Sequence, residues 1–117
     1  MQSESILPPR GMNHHPSILV LRGGAIGDFI VTLPALALLR NAWPQARLDL
    51  ACSAPVVALA RVAGIADSVF SLDQADFATL FSEGNGNALP LLMNRDLIVS
   101  YLHDPDGVVR RNLESAK

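Results

Sequence analysis

The chain has 117 residues, half of them apolar and few aromatic, and nine basic against eleven acidic residues give a formal net charge of -2. That length and composition suit one small α/β domain with a buried core rather than a disordered tail, and the near-balanced charge offers no general attraction to nucleic acid or to an anionic membrane surface. The single cysteine, Cys52, has no partner for an internal disulfide or a metal site, which fits a reducing, cytoplasmic compartment.

Residues 1–16 carry Glu4, Pro8 and Pro9 and no signal-peptide core, so they read as a flexible leader outside the fold, with the domain proper over 17–117. His14 and His15 lie in that leader without spaced partners, and no metal site is expected. Ile18-Leu19-Val20-Leu21 is a continuous apolar run followed at once by turn glycines, the pattern of a parallel strand buried on both faces. A helix over 29–42 follows, with Arg40 in its last turn where a cation suits the dipole. Pro34 either kinks this helix or opens a second segment capped near Thr32. The longest apolar stretch, 29–39, falls short of the ~20 residues that span a bilayer. Trp43-Pro44 ends the helix. Residues 47–51 form the second strand, Ser53 or Ala54 opens a helix through Val62, and Gly64 fits its C-cap. Residues 68–72 make a third strand, 76–81 a short helix, 83–88 a loop, and 97–100 a fourth strand. Asp104-Pro105-Asp106-Gly107 then turns the chain into a last helix over 108–115. This alternation predicts right-handed crossovers and a parallel, Rossmann-like sheet of about four strands with flanking helices, in the order 3-2-1-4. Four strands leave two uncovered edges, which reads as part of a larger chain.

The turn Arg22-Gly23-Gly24-Ala25-Ile26-Gly27 is not a dinucleotide fingerprint, since Arg22 stands where a glycine is needed, and it is not a P-loop, since no Lys-Ser or Lys-Thr follows. It remains either a structural tight turn or a close-approach loop whose backbone N–H groups receive an anion. Asp28 follows it at a strand-to-helix junction, where open α/β sheets gather ligands at the carboxyl ends of their strands. A carboxylate there can cap the helix or act as a general base toward a hydroxyl nucleophile. His103, Asp104 and Asp106, just beyond the fourth strand, either line the same cleft or serve turn chemistry and an N-cap. Cys52 reads as a small buried hydrophobe.

The run from Ile18 to Asp28, continuing through Thr32-Leu33-Pro34-Ala35-Leu36 and Leu39-Arg40, resembles the start of glycosyltransferase family 9, which contains the ADP-heptose:lipopolysaccharide heptosyltransferases. The similarity extends through Trp43-Pro44 and Gly64-Ile65-Ala66-Asp67. Its most specific part is the Gly27-Asp28 pair followed by Pro34. The resemblance implies a partial N-terminal, acceptor-side domain of the two-domain GT-B fold, in an inverting enzyme that moves a sugar from a nucleotide-sugar donor, ADP-heptose in the family, to a lipopolysaccharide-type glycan or glycolipid. It implies Asp28 as the catalytic base; in that reading the loop of Gly23, Gly24, Ala25, Ile26 and Gly27 frames the acceptor hydroxyl, and the sheet topology adds His103 and Asp104 as substrate-binding candidates. No metal or cofactor is implied. The donor would need a C-terminal nucleotide-sugar domain that this sequence does not contain, so the chain alone is expected to be inactive, and peripheral contact with the inner membrane face is left open. The rival class is a non-catalytic Rossmann-like phosphate or nucleotide-binding module, in which Asp28 only caps the helix.

Overall fold

A computed structural model describes residues 15–74, 77, 95–102 and 104–115. Most of residues 76–81, all of 83–88, the leader up to His14, and His103 lie outside the described residues. Pro16, at the end of that leader, is buried, and its carbonyl accepts the Arg47 N–H at 2.9 Å.

Four parallel strands form one sheet in the order β3-β2-β1-β4, as the alternating pattern predicts: β1 Ser17–Arg22, β2 Arg47–Cys52, β3 Ser68–Ser71 and β4 Leu97–Ser100. Strand β1 is central, and its apolar run is buried on both faces because successive side chains alternate. Ile18 and Val20 join one core with Leu48, Leu50, Val69 and Val99, whereas Leu19 and Leu21 join the other with Ala51, Phe77, Leu102 and Val109. The first core is roofed by α1 (Ile26–Ala42) through Phe29, Leu36 and Leu39, and by α2 (Val57–Ala63) through Ala60. The second is covered by α3 (Val108–Ser115), which contributes Val109.

Helix α1 runs unbroken through Pro34, so neither a second segment nor a cap at Thr32 exists. Thr32 is instead interior, with its hydroxyl donating back to the Asp28 carbonyl at 2.8 Å, a local bond open to a helical threonine. Pro34 lacks the N–H that would bond the carbonyl one turn earlier, but it is exposed, where water can satisfy that group. The helix also begins earlier than expected, at Ile26 rather than 29. Helix α2 is entered through a short 3-10 turn, Ala54–Val56, and ends at Gly64, whose φ of 70° is left-handed.

Candidate functional site

Because all four strands run the same way, their carboxyl ends share one edge, and at that edge β1 hands over to α1 through Gly23, Gly24 and Ala25 alone. Ile26 and Gly27 already belong to the first helical turn, which shortens the loop expected from sequence. Ala25 is the N-cap, with extended backbone, and as an alanine it has no side-chain acceptor to offer the helix. Asp28 therefore sits at the third helical position rather than at the cap. Its carboxylate Oδ2 reaches back to accept the Ala25 N–H at 3.0 Å, the reverse half of a capping box.

Gly24 makes this possible. Its φ is 87°, and a Cβ there would run into the Asp28 carboxylate, lying 2.9 Å from Cγ. Only glycine both adopts that backbone without penalty and leaves room for the acid folded over it. At Gly23 a Cβ would come 3.3 Å from Leu102 Cδ2, so the segment leaving β4 closes on the β1 turn. Gly27 is different. Nothing lies within 4 Å of where its Cβ would be, and the surrounding structure makes no demand for glycine there.

Beneath the turn lies Arg22, whose side chain is 5 % exposed while that of Asp28 is 47 % exposed. The guanidinium meets Asp28 Oδ1 at 3.4 Å, its Nε donates to the Asp28 carbonyl at 3.1 Å, and it stands 5.6 Å from the centre of the Tyr101 ring. A further contact of 3.5 Å reaches the Tyr101 carbonyl. A buried guanidinium is tolerated only with a counter-charge and acceptors for its donors. Arg22 thus ties the start of α1 to the exit of β4 and sets the carboxylate at the rim, one side anchored and the other facing solvent. Sequence reasoning used Arg22 only to reject a nucleotide fingerprint. The signal that could have found it was a lone cation ending an otherwise apolar strand beside a downstream acid.

The remaining candidates divide. Asp104 turns to α3, where Oδ1 and Oδ2 accept the N–H groups of Val109 and Arg110 at 3.1 and 2.9 Å, the capping alternative of its two expected roles. The Asp106 carbonyl accepts from Arg111 at 3.0 Å, and His103 lies outside the described residues. Cys52 is buried at the end of β2, and burial pushes its thiol pKa up against a smaller opposing pull from Arg61. Among the described residues no cluster of His, Cys, Asp or Glu is placed to hold a metal ion, and no helix is long and apolar enough to cross a membrane. A groove of about 550 Å³ beside β3, lined by residues including Arg61, Asp67, Phe70 and Gln74, shares no residue with the Asp28 turn.

No protein-family model matches the chain, and no curated protein does. Among solved structures it is similar to a glycosyl transferase family 9 protein from Veillonella parvula DSM 2008, with 22% sequence identity and a TM-score of 0.50. The match covers 63% of this chain and 21% of that one, so the chain spans about a fifth of its neighbour's length. What the two share is a parallel α/β sheet with flanking helices.

Proposed function

We propose that this chain is the acceptor-side part of an inverting glycosyltransferase of the heptosyltransferase kind, with Asp28 as its general base. The observation that carries the reading is the half-exposed Asp28 carboxylate at the carboxyl edge of the sheet, anchored from below by buried Arg22 and the Ala25 N–H. In the reaction, Asp28 takes the proton from an acceptor sugar hydroxyl, the freed oxygen bonds to the donor's anomeric carbon from the far face, and the nucleoside diphosphate departs with the electrons of the bond that breaks. Fixing the carboxylate in advance is what such an in-line displacement needs, since a misplaced base forfeits the benefit of proximity.

Gly27 supports the same reading. A glycine in a helix costs ~0.5–1 kcal/mol relative to alanine, and here no neighbour requires it. Bare backbone next to Asp28 lets an acceptor approach closely, with Gly23, Gly24, Ala25 and Ile26 framing the hydroxyl. The donor, a nucleotide sugar such as ADP-heptose, belongs to a second domain, and a lipopolysaccharide-type glycan is the acceptor. Asp104 serves the acceptor side in this proposal by fixing the start of α3 rather than by touching sugar, and His103, its neighbour in sequence, is proposed as a sugar-binding residue.

The rival phosphate-binding module fits the turn less well. An anion at the N-terminus of α1 would meet the Asp28 carboxylate already bonded to the Ala25 N–H, and like charges at that distance repel. Amide-resolved NMR titration of the chain separates the two. Acceptor glycan is expected to shift the amides of Gly24, Gly27 and Asp28 while ADP leaves them unmoved. Gly27→Ala should raise stability and weaken that glycan binding. Tight ADP binding at the same amides would establish the rival reading instead.

A further inference from the structure

Among the described residues, Ser53, Ser71 and Ser100 stand at the carboxyl edge of the sheet, and they are used differently. Ser71 and Ser100 end β3 and β4, and each hydroxyl accepts the N–H two residues on, from Asp73 at 3.1 Å and from Leu102 at 3.3 Å. Ser53 follows β2 and opens the 3-10 turn, where a serine ordinarily caps. Its hydroxyl nevertheless makes no capping bond, and no other hydrogen bond among the described residues. The N–H beside it, that of Ala54, is taken instead by Asp73 Oδ2 at 3.3 Å, reaching over from the end of β3. Ser53 thus keeps its hydroxyl for another partner, and the exposed Asp73 keeps its Oδ1, which meets no donor among the described residues.

The strand register aligns Arg22, Cys52 and Ser71 across β1, β2 and β3. The Asp28 turn, Ser53 and Asp73 therefore follow one another along the edge at strand spacings of ~4.8 Å, a span that a short glycan covers. The described cations nearby are engaged: Arg22 is buried against Asp28, Arg111 donates to the Asp106 carbonyl and Arg110 to Glu114. The sequence over 62–94 carries Asp67, Asp73, Asp76 and Glu83 and no Lys, Arg or His. A phosphate or carboxylate is ordinarily met by Arg or Lys, and here it would meet Asp28 and Asp73, of its own sign. A sugar hydroxyl is suited to the same row, since it can donate to Asp73 Oδ1 and exchange a bond with the Ser53 hydroxyl. We propose that the acceptor at this edge is an uncharged sugar, held through its hydroxyls by Ser53 and Asp73 while a further hydroxyl gives its proton to Asp28. This rests on the acceptor reading of Asp28 and narrows it to the neutral class of glycan.

Amide-resolved NMR titration of the whole chain tests the proposal, with a pair of heptose-containing oligosaccharides of equal length, one neutral and one ended by a carboxylated sugar. The neutral probe is expected to shift the amides of Gly24, Asp28 and Ala54 and to bind about 5-fold or more tightly than the charged one, the effect of one like charge at contact distance in water. Ser53→Ala should weaken the neutral probe by about 5-fold, the loss of one uncharged hydrogen bond, with the Asp28 amide still responding. Asp73→Asn keeps an oxygen for the Ala54 N–H and should narrow the preference for the neutral probe, which an acid with a purely structural role would leave unchanged. Equal or tighter binding of the charged probe, full affinity in Ser53→Ala, or undiminished preference in Asp73→Asn, each with the Asp28 amide shifting, would overturn the neutral assignment and leave the acceptor reading standing. An Asp28 amide that answers to neither probe would overturn both.

Discussion

At the two ends of the sheet an arginine and an aspartate meet in opposite senses. Toward the amino end Asp49 is the deeply buried partner, 4 % exposed, with Arg95 at 2.7 Å almost as deep and Arg47 reaching it from solvent at 3.2 Å. At the carboxyl end the arginine is buried and the acid stands at the surface. Asp49 is enclosed between two cations and has no face left for a ligand, so its role is to hold β1, β2 and the start of β4 together. Asp28 is held from one side only. An ion pair whose acid is walled in serves the fold; one whose cation is walled in can present its acid to a substrate.

Removing the enclosed acid is the sharpest way to break this contrast. Asp49→Ala strands the Arg95 charge in the interior, and loss of one partner of a buried pair costs roughly 3–5 kcal/mol. Urea unfolding should show this as a midpoint shift at constant slope; a loss below about 1 kcal/mol would mean that Asp49 behaves as a surface acid. At the other end, Gly24→Ala combines an unfavourable positive φ with a collision against the Asp28 carboxylate, for roughly 1–3 kcal/mol. It should also release the Ala25 amide from its bond, visible as faster hydrogen exchange at that one N–H.

The smallest effect is a pH dependence at the amino end. Asp67 precedes β3 and exchanges bonds with β2, its N–H donating to the Leu48 carbonyl at 2.7 Å and its carboxylate accepting the Leu48 N–H at 2.8 Å. Asp96 precedes β4 and grips Ser17 of β1 in the same way, at 2.8 and 2.7 Å. The Leu48 N–H, and after it Arg40, lower the Asp67 pKa despite partial burial. An acid lowered on folding contributes stability that is present above its unfolded value of ~3.9 and is lost as pH falls through the folded value. Asp67→Asn should therefore flatten the acid-side decline in stability below about pH 4. Unfolding curves of parent and variant that run parallel through that range would remove Asp67 from the account.

Local pattern carried most of the architecture. The all-apolar run of β1 specified a strand covered on both faces, Gly64 marked the end of α2, and the spacing of strands and helices specified the sheet order. Pro34 left one helix and two segments open, and the structure selects one helix, since a proline on an exposed helix face is tolerated when water reaches the orphaned carbonyl. The start of α1 misled: an aspartate after a glycine turn suggests a cap, but the carboxylate bonds backward to Ala25 from within the helix. The paired grips of Asp67 and Asp96 left no periodic trace, since each depends on a strand distant in sequence.

Composition, hydrophobic period and turn residues determined by themselves that this chain forms a parallel α/β sheet with its glycine turn and acid at the carboxyl end of the first strand. Those features are local, and each is set by the φ/ψ preferences and burial of a few consecutive residues. Which acid is open and which enclosed was decided only in the tertiary structure. Asp28 and Asp49 are the same residue type beside similar partners, and their difference comes from the elements that pack over them: β1 and the Tyr101 segment shielding Arg22, and Arg95 arriving from far along the chain to shut Asp49 away from water.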